Sequence, residues 1–200
     1  TLFQIFPAGV RLIEEGHQPD MLFLIAEGLA AVRAARRGNT TTFLIVGPRA
    51  AVPLTPVVSD RPSDLVVDTI QRTRAFLIPA KRLRELAFSQ ATFLYALLDE
   101  LAKQHQETLD SLVSQRLDVL PQRLANFILA RVDPLGRFRL PYPKSELAQL
   151  LGTTPETLSR GFVILTSIGV TTSRTGEIQV RDVQMLRAYV ENQPSDGEGV

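Results

Sequence analysis

The chain has no cysteine and no tryptophan among its 200 residues, and only two histidines, His17 and His105. Without cysteine there are no disulfides, no thiolate metal ligands, no cysteine-held iron–sulfur cluster and no thiol nucleophile. Two imidazoles this far apart in the chain leave little material for metal hydrolysis or a catalytic triad, so no enzyme is expected. Long uncharged apolar runs are also missing: no stretch approaches about eighteen residues, and no membrane span is expected. The opening "TLFQIFPAGVRLIEEG" lacks the basic segment and apolar core of a secretory signal, which points to a soluble, cytoplasmic protein. The first residue is Thr1 rather than Met, which leaves room for a preceding piece.

What is present is enough for one large domain or two small ones, with 44% hydrophobic residues and a net charge of only +1. The charge is uneven. Residues 1–118 carry 13 basic and 13 acidic groups, whereas residues 119–190 carry 9 basic against 5 acidic, a net of +4. A positive bias in the second half suits a phosphate-facing surface.

Up to about Pro79, short β-forming runs alternate with turn residues at Gly16, Gly28, Gly38–Asn39 and Gly47–Pro48. Such punctuation predicts an antiparallel barrel or sandwich over residues 1–90, with "RRGNTTT" as a hairpin turn. The pattern then changes. From about Ala91 to Asp118 there is no Gly or Pro, and Leu94, Leu98, Leu101, His105, Thr108, Leu112, Gln115 and Val119 recur at alternating four- and three-residue steps. This seven-residue seam predicts a dimerisation helix over 91–119, with Leu94, Leu98, Leu101, His105 and Leu112 as interface residues. Leu97 and Leu109 widen the stripe, as for a helix that also covers the barrel. The competing reading is a helix packed wholly within one subunit.

Residues 120–190 read as a second, mostly helical domain, with Pro121 suited to a first helical turn. "DPLGRFRLPYP" reads as loop and short strand, "VTTSRTGEIQVRD" as two short strands around "RTGE", and "VQMLRAYVE" as a last helix. The polar stretch 191–200 is expected to be mobile. Between these elements lie "KSELAQLLG" and "TTPETLSRGFVILTSIG", two helices split by a Gly-containing turn. Ser145 is expected to cap the first, Gly152 to end it, and Thr154 and Pro155 to start the second. Leu147, Leu150, Leu151, Leu158, Phe162, Leu165 and Ile168 form the buried faces.

Glu156, Ser159 and Arg160 then share the exposed face of the second helix's opening turns, at spacings of three and four. Helix-turn-helix proteins present those positions to base edges in the major groove. Arg160 can bond guanine O6 and N7 with two donors, Glu156 can accept from a cytosine or adenine amino group, and Ser159 can meet a thymine or a phosphate. Thr154, Lys144 and Arg174 are candidate contacts to the DNA backbone. The alternatives are a helical hairpin whose exposed face holds a Glu156–Arg160 ion pair, or a dimeric coiled-coil scaffold that binds no DNA. The scaffold leaves Arg160 and Arg174 without a task.

From about Phe6 to Tyr189 the chain resembles the CRP/FNR family of bacterial transcription regulators, in "FPAGVRLIEEG", "MLFLIAEGLAAV" and above all "ETLSR". The resemblance implies an α+β fold: an antiparallel β-roll sensor, a long dimerisation helix and a C-terminal winged helix-turn-helix. It implies a homodimer on a two-fold DNA site of the TTGAT…ATCAA type, with RNA polymerase as a further partner. In members that bind cyclic nucleotides, a Gly-Glu pair and an Arg-Ser pair hold the ligand. Here Pro53 and Leu54 stand about where Gly and Glu belong, and Pro62–Ser63 about where Arg-Ser belongs. Pro53 has no N–H and Leu54 cannot accept from a ribose hydroxyl, so cyclic AMP is not expected to bind. Some members that respond to nitric oxide or carbon monoxide carry haem, which makes haem a candidate cofactor with His105 and His17 as candidate ligands. The plainer reading makes His17 a solvated turn residue and His105 a polar group tuning helix register; control without any ligand is the third expectation.

Overall fold

The computed structural model describes residues 2–36 and 39–191. The chain divides into two compact units, Thr1–Glu107 and Thr108–Val200. The first holds β1 (Leu2–Phe6), β2 (Arg11–Ile13), β3 (Met21–Glu27), β4 (Ala30–Arg36), β5 (Asn39–Val46), β6 (Ala51–Val52), α1 (Leu54–Ser59), β7 (Val66–Thr69), β8 (Thr73–Pro79) and α2 (Ala80–Ser89). Its strands form two antiparallel four-stranded sheets, in the orders β1-β8-β3-β6 and β2-β7-β4-β5. Period-two patterning accounts for the packing: in β8, Thr73, Ala75 and Leu77 are buried while Phe76 is exposed. Phe6, Ile13, Phe23, Ile25, Val46, Val52 and Val67 join Ala75 and Leu77 in the core of the roll.

A second cluster covers the opposite side of the first sheet. Leu22, Leu54, Val57, Ala80 and Leu83 are buried there, with Ile78, Phe93, Leu97 and Leu101 packed against them. Arg84 ties the helices together, its guanidinium donating to the Val57 carbonyl and pairing with Asp60, both at 2.8 Å. Helix α1 was not legible in the sequence; "LTPVVS" has poor helix propensity, and burial of Leu54 and Val57 decides its conformation. The run "LVVDTIQRTRAFLIP", continuous in the sequence, divides into β7 and β8, which belong to different sheets. The predicted hairpin is present, with β4 and β5 paired down to Arg36 opposite Asn39. Its tip residues 37 and 38, and residues 192–200 of the predicted mobile stretch 191–200, lie outside the described residues, while Glu191 ends the last helix.

The long helix α3 (Ala91–Leu117) crosses the boundary between the units, and none of its residues is fully buried. Phe93, Leu97 and Leu101 face the second cluster of the first unit. Leu94, Leu98, Leu109, Leu112 and Val113 are exposed, from 41% for Leu109 to 54% for Leu98 and Val113. The apolar seam is therefore real but turned slightly from the expected one. Leu101 is half-buried within its own chain, and Leu109 stands outside where the four-three spacing did not put it.

The second unit continues with α4 (Leu120–Leu129), β9 (Arg137–Arg139), α5 (Lys144–Leu150), α6 (Pro155–Thr166), β10 (Val170–Thr172), β11 (Glu177–Val180) and α7 (Val183–Glu191). The strands form an antiparallel sheet in the order β10-β11-β9. Leu124, Ile128, Leu147, Leu158, Leu165, Val170 and Leu186 centre the core. Arg123 fastens the start of α4 to the preceding turn, donating to the carbonyls of Gln115 at 3.2 Å and Asp118 at 3.1 Å.

Candidate nucleic-acid interface

Helix α5 starts two residues earlier than a Ser145 cap would place it. Pro143 precedes it, its carbonyl accepting from the Glu146 and Leu147 N–H groups, and no side chain caps it. The expectation that Ser145 caps this helix is thus corrected: Ser145 already lies inside the first turn. After Leu151 the chain turns through Gly152, whose φ of +63° favours glycine, and the Thr153 N–H returns to the Ala148 carbonyl at 2.9 Å. Thr154 caps α6 as expected, its hydroxyl accepting from the Thr157 N–H at 3.3 Å, with Pro155 at the first helical position. Leu158, Gly161, Phe162 and Leu165 are the buried side of α6.

The opposite side carries Glu156, Ser159 and Arg160, all exposed. The Glu156 carboxyl is held below the usual carboxylate range by its own backbone N–H, then by the Thr154 hydroxyl, with the Arg160 charge the smallest contributor. Glu156 and Arg160 are not among the ion pairs formed within 4.0 Å by the described residues. The solvated-face alternative with a closed Glu156–Arg160 pair is therefore not the arrangement found. Ser159 donates its hydroxyl proton to the Pro155 carbonyl at 2.8 Å, which leaves the oxygen's lone pairs directed to an incoming donor. The face thus offers two acceptors and one five-donor cation.

The candidate backbone contacts fare differently. Arg174 is exposed at the tip of the β10–β11 hairpin. That tip is braced: the Ser173 hydroxyl accepts from the Glu177 N–H at 3.0 Å and contacts the Thr175 hydroxyl at 2.8 Å. Lys144 is half-buried, its ammonium lies 5.1 Å from the centroid of the Phe162 ring, and burial pulls its pKa down. Thr154 is exposed but already serves as the helix cap.

Residues 122–189 match the family model of the Crp-like helix-turn-helix domain. The second unit therefore carries a Crp-like helix-turn-helix domain. Among solved structures similar to this chain, FixK2 from Bradyrhizobium japonicum is 18% identical, with 100% of this chain and 98% of that one covered and a TM-score of 0.83. TTHA1359, a CRP/FNR-family transcriptional regulator from Thermus thermophilus, is 19% identical over 96% of this chain and 99% of that one, with a TM-score of 0.71. The global regulator CLP of Xanthomonas campestris is 17% identical over 90% of this chain and 94% of that one, with a TM-score of 0.73. No curated protein sequence matches the chain significantly. The chain thus carries a Crp-like helix-turn-helix domain, and its fold is similar to those of these solved regulators.

In the first unit, two of the positions compared with a cyclic-nucleotide site are buried. Leu54 stands 2% exposed in the helical cluster, and Ser63 is 3% exposed with its hydroxyl donating to the Leu65 carbonyl at 2.7 Å. Both histidines are exposed: His105 on α3, His17 in the turn after β2 with Nδ1 3.3 Å from the Glu15 carbonyl. The core of the roll consists of apolar side chains, so the two imidazoles do not fit a haem buried there. No group of three or more His, Cys, Asp or Glu among the described residues is placed to hold a metal ion. No described helix is long and apolar enough to cross a membrane. On α6 the sequence reading missed Val163, which is 72% exposed. Its signal was available: it follows Glu156 by seven residues, two helical turns.

Proposed function

We propose that the chain acts as a cytoplasmic homodimer that reads a two-fold DNA site of the TTGAT…ATCAA type and regulates RNA polymerase there. The observation that carries this reading is the solvent-facing trio Glu156, Ser159 and Arg160 on a capped α6. Pairing two chains through the outer face of α3, with Leu94, Leu98 and Leu112, with His105 beside them and Leu101 at the margin, would present two copies of α6 to successive major grooves. Arg174 and Lys144 then meet phosphates, with Thr154 holding the helix end. Mobility shift with the palindrome, a scrambled duplex and non-specific competitor tests it. Equal affinity for both duplexes refutes sequence-specific reading.

The sensor reading is that cyclic AMP is not the effector. Pro53 offers no N–H, and Leu54 is committed to the apolar cluster. Millimolar cyclic AMP is expected to change neither Tm nor DNA affinity, and a calorimetric binding isotherm would overturn this. Haem, the candidate cofactor, gains no support from two exposed imidazoles. CLP of Xanthomonas campestris is responsive to cyclic di-GMP, which makes that dinucleotide a sensible second titrant for the same calorimetry.

A further inference from the structure

One apolar side chain stands in the middle of the polar reading face. Seven residues at about 100° each bring Val163 to within about 20° of Glu156 around α6, and about 10 Å further along it. Ser159 and Arg160 flank that line. Val163 is 72% exposed, whereas its neighbours Leu158, Phe162 and Leu165 are at most 5% exposed. The core of the unit therefore does not need it. It is also a poor helix former, stiff at χ1, and nothing within the unit compensates for that. The hydroxyls around it are turned away: Thr166 donates to the Phe162 carbonyl at 2.9 Å and Ser167 to the Ile164 carbonyl at 2.7 Å. A ligand reaching this part of the face meets two methyl groups.

In the major groove only thymine offers an apolar group, its 5-methyl. We infer that Val163 is a specificity-determining residue that packs its methyls against the 5-methyl of one thymine in each half-site. The inference rests on the reading of α6 as the DNA-facing helix and adds an apolar reader to the three polar ones. It also assigns the thymine a contact that does not depend on salt, unlike the phosphate contacts around it.

The test replaces each thymine of the half-site, one at a time, by deoxyuridine, which removes the methyl and keeps every hydrogen-bonding group. Fluorescence anisotropy at fixed salt then compares the wild-type chain with Val163→Ser and Val163→Ala. Wild type is expected to lose about fourfold per half-site at one thymine position and nothing at the others. Val163→Ser should lose a similar factor on the all-thymine duplex and be indifferent to deoxyuridine at that position. Val163→Ala, a better helix former, should fall between the two and shows that the loss does not come from misfolding. Wild-type indifference to every deoxyuridine while the palindrome is still preferred over a scrambled duplex overturns the role of Val163 alone. So does an undiminished deoxyuridine penalty in Val163→Ser. Loss of palindrome preference in wild type overturns the DNA reading itself, and this proposal with it.

Discussion

Two leucines one turn apart on α3 should behave in opposite ways. Leu98 is 54% exposed, whereas Leu101 is half-buried against the cluster that contains Leu54, Val57 and Leu83. Full burial of a leucine contributes about 1.5–3 kcal/mol, so covering the open half of Leu98 in a dimer contributes about 1 kcal/mol per chain. Leu98→Glu therefore removes about 2 kcal/mol per dimer, roughly a thirtyfold rise in dimer Kd, before the cost of facing two carboxylates across a two-fold axis is added. Leu101→Ala leaves the outer face intact and should instead cost the first unit about 2 kcal/mol of folding stability. Sedimentation velocity at micromolar concentration reads the first effect, and urea unfolding followed by circular dichroism reads the second. Leu98→Glu is expected to sediment as a folded monomer that no longer distinguishes the palindrome from a half-site, and Leu101→Ala as a less stable dimer. If Leu98→Glu remains fully dimeric, or if Leu101→Ala dissociates without loss of stability, the dimer uses another surface.

Arg160→Ala should cost about 1–3 kcal/mol per half-site and flatten preference at one base pair, whereas Arg174→Ala should weaken all duplexes alike and reduce the salt slope by about 1. Affinities for single-base variants across a salt series separate the two, and uniform losses for Arg160→Ala would make it a backbone contact. Thr154→Ala removes the α6 cap and should cost about 1 kcal/mol in urea unfolding, with Thr154→Ser retaining most of it. The Glu156 carboxyl is held below its ordinary range, so its contribution to stability is present above the unfolded-chain pKa and is lost as pH falls through the depressed value. Carboxyl NMR should show it titrating higher in Thr154→Ala, and an unchanged midpoint would discard the Thr154 contact. Gly136→Ala should abolish folding of the second unit, because a Cβ there would stand 2.2 Å from the Val180 carbonyl oxygen at a φ of +72°. A cooperative unfolding transition like that of wild type would contradict this.

The sequence alone determined the order of the architecture, because each part carries a local periodicity. Alternating short runs with Gly and Pro breaks specify antiparallel strands, and a Gly- and Pro-free stretch specifies α3. Thr154, Pro155 and Gly152 fix the ends around α6, since capping and left-handed turns depend on the residue itself. The trio Glu156, Ser159 and Arg160 was legible for the same reason: helical spacing puts the three on one face whatever lies behind it. Other features needed the folded chain. Pro143 rather than Ser145 starts α5, and α1 forms from a segment with weak helix propensity, because tertiary burial outweighs local preference there. The orientation of α3 was a matter of degrees: a heptad pattern does not say which edge of the stripe the chain itself covers, and only packing against the cluster around Leu54, Val57 and Leu83 turns Leu101 inward and leaves Leu98 and Leu109 outside. Val163 is likewise an ordinary aliphatic residue in the sequence. Its place on the open face of α6 follows from Leu158, Phe162 and Leu165 having filled the core without it.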